Sequence, residues 1–139
     1  MKKFISLILI SLFVCTMCSC GKSSGGQALN GIDVDLTKLS STMVYSEVYN
    51  MMAYPDKYVG KTVRMKGQFA LYENSKSGTR YFACIIADAT ACCSQGLEFV
   101  PESNSAYPTL GTEITVTGEF STYEEDGNIY CHLIGAKFN

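Results

Sequence analysis

Thr62-Val63-Arg64-Met65-Lys66-Gly67-Gln68-Phe69-Ala70-Leu71-Tyr72 alternates apolar and mainly polar side chains along eleven residues. A period of two assigns this stretch to a half-buried strand, with Val63, Met65, Gly67, Phe69 and Leu71 on one face. It is long for a strand. Gly67 stands near its middle, where a missing side chain lets a strand bend or another backbone approach closely.

The same period continues downstream. Asn74-Ser75-Lys76-Ser77-Gly78 reads as a hairpin loop. A second strand is expected over 80–87, apolar on both faces (Phe82, Cys84 and Ile86; Tyr81, Ala83 and Ile85), so both faces should be covered. A third, over 97–100, follows a turn at Gly96, and a polar connection runs from Pro101 to Pro108. A fourth, over 113–120, turns Ile114, Val116, Gly118 and Phe120 inward. Asp126-Gly127 marks a tight turn. The fifth, over 129–136, sets Ile129, Cys131 and Leu133 against Tyr130, His132 and Ile134.

Upstream, Val59-Gly60-Lys61 is a turn. Before it, Val44, Val48 and Met51 or Met52, with Tyr45 and Tyr49, recur at helical spacing after a cap at Ser41 or Thr42. This stripe predicts core contacts, and Pro55 ends the helix. Residues 32–40 set Ile32, Val34 and Leu36 against Asp33 and Asp35, as in a short edge strand or extended lead-in. The expected fold class is all-β: a five-stranded, OB-fold-like barrel preceded by one amphipathic helix. An immunoglobulin-like sandwich would need about seven strands.

The chain opens on Met1-Lys2-Lys3, an apolar run from Phe4 to Val14, and Cys15-Thr16-Met17-Cys18-Ser19-Cys20. Two lysines before a short apolar run describe a secretory signal peptide. The run is too short to span a bilayer. Met17-Cys18-Ser19-Cys20 resembles the lipobox of bacterial lipoproteins, with Met17 where that motif usually has Leu. The resemblance implies cleavage before Cys20 and acylation of it, with palmitate-type chains. The expected organisation is a lipoprotein signal peptide (1–19), a flexible tether and lead-in (20–40), and the OB-fold-like domain (41–139). Gly and Ser dominate the tether's first part.

Two further resemblances carry the fold. Tyr54 to Gly67, through Tyr58-Val59-Gly60-Lys61-Thr62-Val63, is similar to the opening of small bacterial OB-fold lipoproteins of the tRNA-anticodon-like type. Cys84-Ile85-Ile86-Ala87-Asp88-Ala89 is similar to a Cys-Cys-x-Ala-Asp-Ala motif in the soluble domain of permease accessory subunits, with Ile85 replacing the second cysteine. The first implies a shape rather than tRNA binding. The second implies work beside a transporter.

The first nineteen residues hold two of the eleven basic side chains and none of the thirteen acidic ones, leaving nine against thirteen. A net charge of about −4 without a basic run lacks the footprint of a nucleic-acid binder. It also lacks a polybasic patch for anionic lipid, so attachment falls to the acyl chains on Cys20. The localisation expected is the cell membrane or outer membrane, on the extracytoplasmic side.

Beyond Cys20 stand Cys84, Cys92, Cys93 and Cys131, with His132 as the only histidine. Three readings stay open. Cys84, Cys92 and Cys93 with Asp88 could hold a zinc-type metal; two of the four thiols could pair as a disulfide, as exported chains allow; or the thiols are buried and inert. Cys131, between Ile129 and Leu133, is the thiol expected in the core. Nine tyrosines and seven phenylalanines could supply a stacking surface, with Tyr72, Tyr81, Phe82 and Phe99 on the ligand face of such a barrel. No phosphate loop, Ser-His-Asp order or His-Glu-x-x-His motif occurs, so catalysis is not expected.

The leading expectation is therefore a non-enzymatic, lipid-anchored binding module, accessory to a transporter or envelope complex. The alternative is a thiol-dependent metal-binding protein; a thiol redox protein is the third reading. Cys20→Ala is expected to abolish incorporation of a fatty-acid analogue, while Cys18→Ala retains it. Unchanged labelling of the Cys20 variant would refute the anchor.

Overall fold

A computed structural model describes residues 31–102 and 106–139. The signal segment, Cys20 and most of the tether lie outside them. The described chain is mostly β, with six strands in one sheet and one α-helix. In order these are β1 (Val34–Asp35), α1 (Ser41–Ala53), β2 (Thr62–Glu73), β3 (Arg80–Ala87), β4 (Ser94–Pro101), β5 (Glu113–Glu125) and β6 (Asn128–Phe138).

β2, β3 and β4 form an antiparallel meander. β4 pairs in parallel with β6, β6 pairs antiparallel with β5, and β5 returns to pair with β2. Five strands thus close a hydrogen-bonded ring in the order β2-β3-β4-β6-β5. The length of β2 makes this geometry available. Its first half, Thr62 to Gln68, pairs with β5, and its second half, Gln68 to Glu73, pairs with β3.

The partner change falls beside Gly67. A Cβ built there would lie 2.4 Å from the Ile85 carbonyl oxygen and 2.9 Å from Cys84 Sγ. The glycine therefore serves close backbone approach. Gly96 serves the same purpose, which corrects the expected turn at that residue. It is an interior residue of β4 paired with Ile85, and a Cβ would stand 2.3 Å from the Cys84 carbonyl. β4 thereby starts three residues earlier than the apolar pattern indicated.

One face of each strand fills the ring. Val63, Met65, Phe69, Cys84, Leu97, Phe99, Ile114, Val116, Phe120, Leu133 and Ala136 are buried, and α1 adds Val48 and Met51. Phe120 and Phe99 are the largest fully enclosed side chains, and burying each contributes roughly 2–3 kcal/mol. The opposite face of β3 is only half covered at Tyr81, Ala83 and Ile85, against the expectation of two buried faces. Tyr107, from the connection before β5, stacks on Phe82 at 4.3 Å between ring centroids and lies parallel to Phe69 and Phe138.

The lead-in is part of the packed unit. Val34–Asp35 pairs in parallel with Val63–Arg64, and Asp35 caps a one-turn 3-10 helix over Leu36–Lys38. Leu36 is buried in the common core. The helix cap is Ser40, one residue before the expected position, and α1 ends at Ala53 ahead of Pro55. At the β5–β6 turn, Asp126 and Gly127 both adopt positive φ, at 51° and 75°. A two-residue I′ hairpin requires that sign at both positions.

Gly67→Ala is expected to destabilise the fold by roughly 1–3 kcal/mol, and Gly67→Val by at least as much, because the obstacle is backbone and cannot rotate away. Urea unfolding measures it. A midpoint equal to the parent's would show that the two strands can separate there at no cost.

Candidate functional site

Two surface features bring chemically distinct side chains together. The first is the β3–β4 loop. Asp88 N donates to the Cys93 carbonyl at 2.9 Å, and Ala91 N to the Asp88 carbonyl at 3.0 Å, so residues 88–93 fold into a tight turn. Ala91 takes φ 56°, a left-handed conformation costly to a residue with a Cβ. Asp88 organises the turn. Its Oδ1 accepts from Thr90 N at 3.1 Å and Cys92 N at 3.0 Å. Its Oδ2 faces Cys92 Sγ at 3.2 Å, and Cys92 Sγ lies 3.5 Å from Cys93 Sγ. An extended segment would send these two thiols to opposite faces; the turn brings them to one side.

These hydrogen bonds, the Cys92 thiol first, hold the Asp88 carboxyl below its ordinary value despite partial desolvation. The Cys93 thiol is pushed up, first by its contact with Cys92 and then by burial and the Asp88 charge. Tyr45 of α1 faces the same loop: burial raises its phenol, and the charges of Cys93, Asp88 and Cys92 add to the effect. Gln95 Nε2 donates to the Tyr45 carbonyl and ties helix to loop. A cavity of about 480 Å³ between the 3-10 turn, α1 and the sheet reaches the loop's two ends through Ala87 and Ser94.

Of the four residues expected around a metal, the structure unites Asp88, Cys92 and Cys93, whose donor atoms all lie within 4.8 Å of one another. Cys84 is not among them. It occupies an inward position of β3, is 1% exposed, and burial pushes its thiol up to about 12. Cys84 is thus the fully enclosed cysteine, while Cys131 packs against the core from its edge. Cys131 is only half-buried, and its neighbour Ile129 is 71% exposed. Residues 128–131 pair with β5 alone, so the hairpin end has no partner to cover it. All four thiols are free.

The second feature is a groove of about 410 Å³ over the outward face of β3 and β4, bordered by β5 and β6. Tyr81, Phe82, Glu98, Val100, Tyr123 and His132 line it. Glu98 pairs across strands with His132, whose ring lies 4.8 Å from that of Tyr123. Tyr123 donates to Glu98 Oε2 at 2.6 Å, and Tyr81 donates to Glu125 Oε1 at 2.5 Å. The bond to Glu125 leads in pushing the Tyr81 phenol up to about 12. Burial, then Glu98, raises that of Tyr123. Burial holds the His132 imidazole below its ordinary value, and the Glu98 charge opposes it.

The four aromatic residues expected on the ligand face divide. Tyr81 lines the groove. Tyr72 is 65% exposed beside it, with ring centroids 6.1 Å apart. Phe99 is mainly a core residue, 2% exposed, and with its cross-strand partner Phe82 it also borders the groove's floor. Sequence reasoning did not assign Tyr123, Glu98 or His132 to a shared site. Their common outward parity on adjoining strands is the signal, and it requires the β4–β6 pairing to be known.

No family model matches the chain, and no curated protein matches it. The family likenesses therefore rest on the motif residues alone.

With a selective alkylating reagent, Cys92 and Cys93 are expected to react first and Cys131 more slowly. Cys84 should react at least about a hundredfold slower, following unfolding of the ring. Mass mapping of partly labelled protein gives the order. Early labelling of Cys84 would contradict its enclosure.

Proposed function

We propose that the closed five-strand ring is an OB-fold-like barrel. We read it as a non-enzymatic, lipid-anchored binding module on the extracytoplasmic side of a bacterial membrane, accessory to a transporter or envelope complex. The observation that carries this reading is the location of the groove. OB-folds take ligands on the face of their second and third strands, between the loops joining strands one to two and four to five. β3 and β4 hold those positions in the ring. The groove starts at Thr79, where the β2–β3 loop ends, and is bordered by Tyr123 and His132 on the β5–β6 hairpin.

Its chemistry supports a protein segment as ligand. The floor is apolar and aromatic. Glu98 and Glu125 each bind a tyrosine hydroxyl through one oxygen and keep the other as an acceptor. Arg80, the groove's one basic side chain, is paired with Glu73 at 2.9 Å. Such a surface receives apolar side chains together with amide or basic donors. Tyr72, against Tyr81, and Tyr130, against Tyr123, extend its apolar character beyond the rim. The lipobox-like Ser19-Cys20 and the signal-like segment before it support the anchor.

Photo-crosslinking in cells tests the reading. A photoreactive residue at Val100 is expected to give a discrete envelope-protein adduct in the membrane fraction. The same residue at Met52, exposed on α1 outside the groove, should not. Val100→Asp in a chain crosslinked from Tyr130 should lower the adduct yield by about tenfold, as an unpaired charge is costly at an apolar contact. Equal adducts from both positions, or none from the groove, would defeat the proposal.

A further inference from the structure

We propose that the Asp88–Cys92–Cys93 turn is an open, three-donor site for one thiophilic divalent cation of the zinc class, held by the two sulfurs and the carboxylate. This inference is independent of the groove, which lies elsewhere on the sheet and shares no lining residue with the turn.

Geometry is the first support. Two thiolates on one tetrahedral zinc, at about 2.3 Å each, stand about 3.8 Å apart. The Cys92 and Cys93 sulfurs are already 3.5 Å apart. A sulfur and a carboxylate oxygen on the same ion stand about 3.5 Å apart. Asp88 Oδ2 lies 3.2 Å from Cys92 Sγ. Two edges of the triangle thus match those of a tetrahedral site, and the third, from Asp88 to Cys93, is within 4.8 Å.

Orientation is the second. Two backbone amides occupy Asp88 Oδ1, and Oδ2 lies between the Thr90 hydroxyl at 3.1 Å and Cys92 Sγ at 3.2 Å. Such outer contacts fix a ligand before the metal arrives. Charge is the third. The ion pairs among the described residues use Asp35, Glu73, Glu102 and Glu113, and none uses Asp88. No Lys or Arg shares the loop, so a bound cation would be the carboxylate's counter-ion.

The donor set selects the ion. Two soft sulfurs favour zinc-class metals over magnesium or calcium, which want oxygen alone. Three protein donors leave one tetrahedral position open, unlike a closed structural site with four. Cys84 cannot fill it from the core, and Cys131 lies on β6. The open position faces solvent, because Cys92 and Cys93 are exposed. On binding, each thiol gives its proton to water as its sulfur–metal bond forms, and no electron is transferred.

Cobalt(II) added to the reduced full chain, with Cys15, Cys18 and Cys20 changed to serine, is the probe. A near-ultraviolet thiolate-to-cobalt band is expected, saturating at one equivalent and displaced by zinc. Cys92→Ser and Cys93→Ser should each weaken binding at least about tenfold, and the double variant should lose the band. Asp88→Asn should weaken it by roughly 10- to 100-fold, with Cys131→Ser unchanged. Melting curves of the metal-free variants establish that they remain folded. No band at micromolar cobalt overturns the proposal, as does a band that survives loss of both cysteines. A chain isolated two hydrogens lighter, and still without a band after reduction, would assign the pair to disulfide chemistry instead.

Discussion

The structure depends on one strand having two partners. β2 hands over from β5 to β3 near Gln68, and the ring closes only because both neighbours can approach its backbone there. A side chain at residue 67 would occupy the space of the Ile85 carbonyl. The constraint propagates to the next strand pair, where Gly96 faces the Cys84 carbonyl just as closely. The two glycines flank β3 on either side, at successive ladders of the sheet. They let three backbones crowd together where β2 changes partner, a known use of glycine within strands.

Closure also determines what faces out. A strand alternates its side chains, so enclosing Cys84, Leu97, Phe99 and Leu133 presents Tyr81, Glu98 and His132 on the other side. These are not strays from an imperfect core. They sit together because the parallel β4–β6 pairing sets Glu98 opposite His132, and β5 then supplies Tyr123. Tyrosine hydroxyls on carboxylates hold the groove's polar groups in fixed positions. A partner would find them ordered already, which lowers the entropic cost of association.

Much of the framework was legible in the sequence. The alternation in β2 and β5 set their inward faces, the Asp-Gly pair marked the last hairpin, and Pro55 closed the helix. Gly96 misled because a glycine in a polar stretch looks the same whether it turns the chain or admits a neighbouring backbone. Cys131 misled because it stands at the ring's edge, between buried Leu133 and an Ile129 carried beyond the last β4 pairing. Local pattern reports which face a residue takes, not how far along the strand the core extends. The thiol site was half legible: three residues close in sequence did converge. Cys84 was a false member because its strand parity points it inward. Tyr107 carried no signal, since only the folded connection brings it over Phe82.

The thiol turn and the groove differ in what they ask of the fold. The groove is made by side chains from four strands, so any slip in register would dismantle it. The turn is local: six consecutive residues contain all three donors, and their hydrogen bonds run within the loop. The framework contributes chiefly by pinning the two ends, through the Ala87–Ser94 pairing and the Gln95 contact with the helix. That pinning holds Ala91 in its left-handed conformation. Released from the sheet, the segment would relax toward an extended form and separate the sulfurs. The proximity of the two thiols is therefore a consequence of β3–β4 pairing, and it should disappear with that hairpin even though every donor lies within a single short loop.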